Sequence, residues 1–220
     1  MTGTGRRSAI MQDPRTTAAA LRADSCISHL RMHGFGAYYF ETKEEVLSYL
    51  KGAIEKGASI GIGGSMTLSE LGIVSWLTGN PDYRFLDRYH TDDPEKIFHE
   101  SLLADVYLMS TNAVTEEGEL YNIDGKGNRL AALIYGPKKV YVIAGTNKIV
   151  KNLEEAVQRV ELLAAPANNI RLNKTNPCTK TGQCMHCSTP STICNQIVTT
   201  RRSGTPGRIH VLLVNEALGY

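Results

Sequence analysis

Short apolar runs alternate with stretches of helical periodicity along most of the chain, and this alternation restricts the fold more than any other feature. The apolar runs predict strands at 35–40, 58–62, 84–87, 106–109, 120–123, 131–135, 140–144 and 209–214. Between them, apolar residues at three- and four-residue spacing predict helices over 14–34, from Thr42 to Gly57, from near Thr67, over 94–104 and over 149–164. Strand followed by helix, repeated, implies an α/β domain with an open, largely parallel sheet covered by helices on both faces.

Local signals support the element boundaries. Asp13-Pro14 is a cap followed by proline at the first helical position, after which Ala18, Leu21, Ile27 and Leu30 share one side with Cys26. Thr42 and Glu45 form a capping box ahead of Val46, Leu47, Leu50 and Ile54. Val150, Leu153, Val157, Val160 and Leu163 make a stripe expected in the core. Residues 1–13 are expected to be a disordered N-terminus, with Met11 an alternative start, and 14–220 a single domain. A chain of 220 residues, 42% hydrophobic, fills one core and is short for two.

The net charge of +2, with basic pairs such as Arg6-Arg7 and Arg201-Arg202 scattered, argues against a nucleic-acid partner, which calls for a dense basic face. No apolar stretch approaches the ~20 residues of a membrane span, and the arginines near the start precede no sustained apolar segment. A cytoplasmic, non-membrane protein is expected.

Four of the five cysteines, Cys178, Cys184, Cys187 and Cys194, fall in one stretch with the pattern C-x5-C-x2-C-x6-C. Four thiolates this close can close on one metal centre, either zinc or a four-cysteine iron–sulfur cluster. Disulfides would need an oxidising compartment and usually a core-poor secreted chain, and inert free cysteines prefer apolar neighbours to the Thr, Lys, Gln and Ser found here. One central Cys-x-x-Cys between two longer spacers resembles, mirrored, the iron–sulfur loop of the endonuclease III family. The expected cofactor is therefore a [4Fe–4S] cluster, with structural zinc the alternative; His186 is either a substitute ligand or a residue beside the ligands or exposed. The metal-binding segment, 166–206, precedes a strong apolar strand, so it is an insertion and not a tail.

A second constellation is polar. Gly63-Gly64-Ser65-Met66-Thr67 follows a predicted strand and opens a helix, an order that suits a small anion, although glycine turns and hydroxyl caps are also ordinary structure. Asn122-Ile123-Asp124-Gly125-Lys126-Gly127-Asn128-Arg129 lies between apolar runs. Asn122 and Asn128 can bind substrate, Arg129 can fork a carboxylate or phosphate, and Asp124 can act as a general base. Alternatively Asp124 serves a tight Asp-Gly turn. Asn147-Lys148 can present a cation toward the same rim or simply begin a helix.

Taken in order, Gly-Gly-Ser-Met-Thr-Leu-Ser-Glu-Leu-Gly, Asn-Ile-Asp-Gly-Lys-Gly-Asn-Arg, Tyr-Gly-Pro-Lys-Lys-Val and Gly-Thr-Asn-Lys-Ile-Val resemble the lactate utilization (LUD domain) family. The four-cysteine segment resembles that of a subgroup. The resemblance implies a fold similar to the ribose-5-phosphate isomerase, glucosamine-6-phosphate deaminase and CoA-transferase group. It also implies a place beside iron–sulfur protein partners in oxidising L-lactate to pyruvate, as a subunit of such an assembly. No Gly-x-Gly-x-x-Gly nucleotide fingerprint stands in the required strand-helix context. The alternative is an independent isomerase or acyl/CoA-transferase-like enzyme acting on a small anionic or phosphorylated substrate. An oligomer is compatible with either.

Overall fold

The computed structural model describes residues 13–220. The expectation for 1–12, Met11 included, lies outside the described residues. Asp13 itself belongs to the fold, because its carboxylate accepts the Arg15 amide at 2.9 Å and caps the first helix.

The strands are β1 (Gly36–Phe40), β2 (Ser59–Ile62), β3 (Arg84–Phe85), β4 (Val106–Met109), β5 (Ala113–Thr115), β6 (Leu120–Asp124), β7 (Lys139–Gly145), β8 (Ile149–Val150), β9 (Gln196–Thr200) and β10 (Ile209–Val214). The helices are α1 (Pro14–Met32), α2 (Lys43–Ala53), α3 (Met66–Glu70), α4 (Ile73–Leu77), α5 (Pro94–Ser101), α6 (Asn128–Ile134), α7 (Leu153–Arg159), α8 (Ala165–Arg171) and α9 (Cys178–Thr181).

Six strands form an open sheet in the order β1-β10-β7-β4-β2-β3, with every pairing parallel. The expected α/β architecture is what the chain adopts. Alternation splits the apolar runs between the two faces. Tyr107, Met109, Val140, Val142, Val211 and Leu213 pack with α1 and α6, while Val106, Leu108, Tyr141, Ile143, Leu212 and Val214 pack with α2, α3 and α4. Burial on both faces is why these strands read as continuous apolar sequence.

Several expectations need correction. The strand expected at 131–135 is α6: Ala132 and Leu133 are buried while Ala131 and Ile134 are exposed, a helical and not a two-residue period. The strand at 120–123 exists as β6 but belongs to a second, four-stranded sheet, β8-β5-β6-β9, whose β5–β6 and β6–β9 pairings are antiparallel. β9 lies inside the cysteine segment. The helix expected over 149–164 starts with β8 and then runs as α7, one π turn at Val160–Ala164, and α8. Its buried line is Ala156, Val160 and Ala164, packed on Ala113 and Tyr121, and Leu163 is 48% exposed. No helix among the described residues is long and apolar enough to cross a membrane.

Candidate functional site

Strands β7, β4 and β2 are neighbours in the sheet, and the loops leaving their carboxyl ends meet. From β2 the chain moves outward to β3, and from β4 it crosses back toward β7. Such a reversal opens a crevice in a parallel sheet. A cavity of about 580 Å³ occupies it, with Ser65, Thr67, Ser110, Thr111 and Lys148 among its lining. The two polar segments singled out in the sequence both reach it: Gly64, Ser65 and Thr67 from one, Asp124, Asn128 and Arg129 from the other. Gly63 and Asn122 are buried behind the wall.

Gly63 makes room for Arg129, whereas Gly64 merely borders Arg88. A Cβ on Gly63 would stand 3.2 Å from Arg129 Cδ, and one on Gly64 would stand 3.4 Å from Arg88 Nη1. Ser65 Oγ accepts the Leu68 amide at 3.4 Å and caps α3, which is only five residues long. Arg129 donates Nε to Asp124 Oδ1 (3.1 Å), Nη1 to Ser110 O (2.9 Å) and Asn122 Oδ1 (2.6 Å), and Nη2 to Asn112 Oδ1 (3.0 Å) and Ile123 O (2.8 Å). Its five N–H groups are thus engaged within the protein. Asp124 Oδ2 accepts the Leu130 amide at 3.3 Å. The Asp124–Arg129 pair, nearly buried, ties the loop after β4 to the end of β6 and to the start of α6.

Lys148 is the residue that the sequence reading mentioned but did not select. It is 97% buried, being 3% exposed, and follows β7 in a single 3-10 turn. Its Nζ donates to Thr67 Oγ1 at 2.9 Å, Ser110 Oγ at 3.0 Å and the Thr111 carbonyl at 3.3 Å, and no carboxylate pairs with it among the described residues. Burial first, then the nearby Arg159 and Arg129 charges, push its pKa down to about 7 against a weaker opposing pull from Glu70. Nothing in Gly-Thr-Asn-Lys distinguishes this lysine from one at an exposed helix start.

The cavity carries an excess of cations. Six, Arg88, Lys126, Arg129, Lys148, Arg171 and Lys174, face two carboxylates, Glu95 and Asp124. The carboxylates are already paired, Glu95 with Lys126 and Asp124 with Arg129.

The four cysteines gather separately. Cys178, Cys184, Cys187 and Cys194 all line one cavity of about 220 Å³, closed by Tyr121 and Ile123 of β6 and by Val160 and Glu161. Burial chiefly, and then the other three thiols, push the Cys194 pKa up to about 11, and Cys178 is raised by the same causes, with Cys187 and Cys184 as its neighbours. The His186 amide donates to Cys184 Sγ at 3.4 Å, with His186 at φ +47°. Asn176, which the sequence reading missed, is buried and holds the loop: it donates to Asn169 Oδ1 and Ser191 O and accepts from the Thr189 and Ser191 hydroxyls. Among the described residues, the potential ligand atoms that lie within 4.8 Å of one another in threes are those of Glu161, Cys184 and His186. No three cysteine sulfurs approach that closely. Cys26 is not part of this cavity: it is fully buried on the inner side of α1, donates to Thr115 O at 3.3 Å, and its pKa is pushed up to about 12, chiefly by burial.

The LUD domain family model matches residues 24–214. A crystal structure of a DUF162 family protein from Deinococcus radiodurans is similar over 90% of this chain and 98% of that one, with a TM-score of 0.50 and 17% identity, a likeness of fold alone. A crystal structure of eIF2B delta from Chaetomium thermophilum aligns with 63% of this chain and 50% of that one at a TM-score of 0.30 and 15% identity, too remote to support any argument. No curated protein matches the sequence.

Proposed function

The chain belongs to the LUD domain family, and on that premise we propose that it is a lactate utilization protein holding a [4Fe–4S] cluster on Cys178, Cys184, Cys187 and Cys194, and that it acts as an accessory component in the oxidation of L-lactate to pyruvate. The observation that carries this reading is the arrangement of the thiols: all four line one cavity, yet no three sulfurs close within 4.8 Å. A cavity of about 220 Å³ lined by all four thiols has room for a cubic group, and the single Cys-x-x-Cys between two longer spacers supports that choice over zinc.

Bound there, the cluster would supply single-electron transfer toward iron–sulfur partner proteins. The chain's own residues set its surroundings. Tyr121, Ile123, Val160 and Ala165 give it an apolar wall, and the His186 amide directs a hydrogen bond at Cys184 sulfur. Both features tune a cluster's potential. The cleft, in the same reading, takes a small anion. Lys148 supplies the charge, Gly64, Ser65, Thr67 and Asn128 form the wall, and Asp124 with Arg129, backed by Asn122 and Gly63, fixes its shape. Both Asp124 oxygens are already engaged, so its proposed role is to hold Arg129 more than to abstract a proton.

Anaerobic purification followed by absorption spectroscopy and iron, sulfide and zinc analysis tests the reading. A broad band in the iron–sulfur charge-transfer region, with about four irons per chain, is expected. Colourless protein with one zinc per chain would leave the loop as a structural zinc site and remove the redox role.

A further inference from the structure

A three-carbon monoanion does not account for the cleft. The cavity of about 580 Å³ is in the range that encloses a drug-sized ligand. Four of its cations, Arg88, Lys148, Arg171 and Lys174, have no carboxylate partner among the described residues. One of these is a nearly fully buried ammonium, and a buried charge without a counter-ion is expensive to keep. Its three donors rest on two hydroxyls and a carbonyl, which are neutral.

The other cations are spread around the rim and not concentrated at one point. Arg88 lies with its guanidinium carbon 4.5 Å from the centre of the Phe98 ring, beside Gly64. Arg171 is steadied by two bonds to Asn168 Oδ1, at 3.1 and 2.7 Å. Lys174 follows α8 on the same side. A lactate-sized ligand would leave most of this volume unfilled.

We propose that the cleft is the binding site of a phosphorylated organic anion, with a phosphate on Lys148 and Ser110 at the floor and the rest of the ligand's charge and body reaching the rim at Arg88 and Arg171. This rests on the reading of the cleft as an anion site and narrows it to a ligand carrying at least two negative charges. Ser110 Oγ is suited to the floor position because its own donor bond, to Thr111 O, is long at 3.4 Å. A phosphate oxygen there takes over the two long bonds now made to the Thr111 carbonyl, that of the Lys148 ammonium at 3.3 Å and that of the Ser110 hydroxyl, so it accepts from an ammonium and a hydroxyl together. The lowered pKa of Lys148 fits a site completed by its ligand, since a phosphate there restores the charged amine. The charged groups facing that amine are Arg159 of α7, Arg129 of α6 and Glu70 of α3, two cations against one distant acid.

Isothermal titration of the full chain at pH 7 with pyrophosphate, ribose 5-phosphate and L-lactate tests the proposal. The two phosphorylated probes should bind at least tenfold tighter than L-lactate, Lys148→Met should weaken them by tenfold or more, and Lys148→Arg should recover part of the loss. Arg171→Ala, an exposed position, should weaken the probes several-fold without changing the melting temperature. Binding of L-lactate tighter than both phosphorylated probes would overturn the proposal and leave the anion site intact. Binding of none of the three would overturn the anion site as well. Phosphate affinity indifferent to Lys148→Met in a protein that melts normally would move the site elsewhere.

Discussion

At the scale of single residues, Arg129 and Lys148 divide the work that the sequence suggested for one of them. Arg129 attracts attention because it ends a polar run, but its donors serve two acceptors from the loop after β4, Ser110 O and Asn112 Oδ1, and three at the end of β6, Asn122 Oδ1, Ile123 O and Asp124 Oδ1. Arg129→Ala should therefore act on stability. Leaving those buried acceptors and Asp124 unpartnered should cost about 3–5 kcal/mol, read as a fall of roughly 6–20 °C in the melting temperature. Lys148 should do the opposite. Its folded pKa of about 7 lies below the ordinary 10.5, so between those values the unfolded chain binds more protons and stability rises with pH. Below pH 7 the folded protein carries the full cost of charging the buried amine, and above 10.5 that cost is gone. Lys148→Met removes the titration, so without ligand it should melt above the wild type at pH 6–7, with the difference shrinking by pH 10. Parallel melting curves across that range would contradict this account. What local sequence could not convey is depth: a lysine after a strand looks the same whether the loop packs inward or outward, and only the meeting of three strand ends buries this one.

At the scale of elements, legibility followed length and burial. The strands β4, β7 and β10 were readable because both faces are covered and the apolar run is unbroken. The same property misled at 131–135, where a short apolar run has no periodicity to separate strand from helix and α6 won through the packing of Leu130 and Leu133 on the sheet. Of the second sheet only β6 was legible. β5 and β8 are three and two residues long, and β9, Gln196–Thr200, is half polar and exposed along one side. Its pairing with β6 is long-range, Asn122 opposite Val198, and no local pattern encodes that register. The cysteines themselves were legible, but their support was not. Asn176 binds Asn169, Thr189 and Ser191 together from a position that reads as an ordinary loop asparagine. Asn176→Ala keeps every proposed ligand and yet should lower iron content per chain to half or less, with the far-ultraviolet circular dichroism unchanged. Iron content equal to the wild type would mean that the thiols alone define the site.

At the scale of the molecule, the two cavities share a wall. Ile123 lines both, and Asp124, next along β6, faces the cleft while its carbonyl accepts the Asn195 amide one residue after Cys194. The Asn195 side chain adds a bond to Gly125 O at 3.0 Å. β9 then continues the cysteine segment as the strand beside β6. The cysteine loop is thus stitched to the edge of the cleft, whereas the parallel sheet β1-β10-β7-β4-β2-β3 has its own core on both faces, to which Cys178, Cys184, Cys187 and Cys194 contribute nothing. Removing the cluster should accordingly loosen one part of the molecule and spare the other, since structure held by a metal loses its folding free energy with the metal. Hydrogen exchange on the Cys187→Ala protein should show lost protection over 178–200 and at the end of β6 near Asp124, with β7 and β10 as protected as in the wild type. Because Asp124 holds Arg129, the same variant should also bind pyrophosphate more weakly, by several-fold, although no cysteine touches the cleft. Cleft affinity and β6 protection both unchanged in a protein shown to have lost its iron would establish the two sites as independent neighbours.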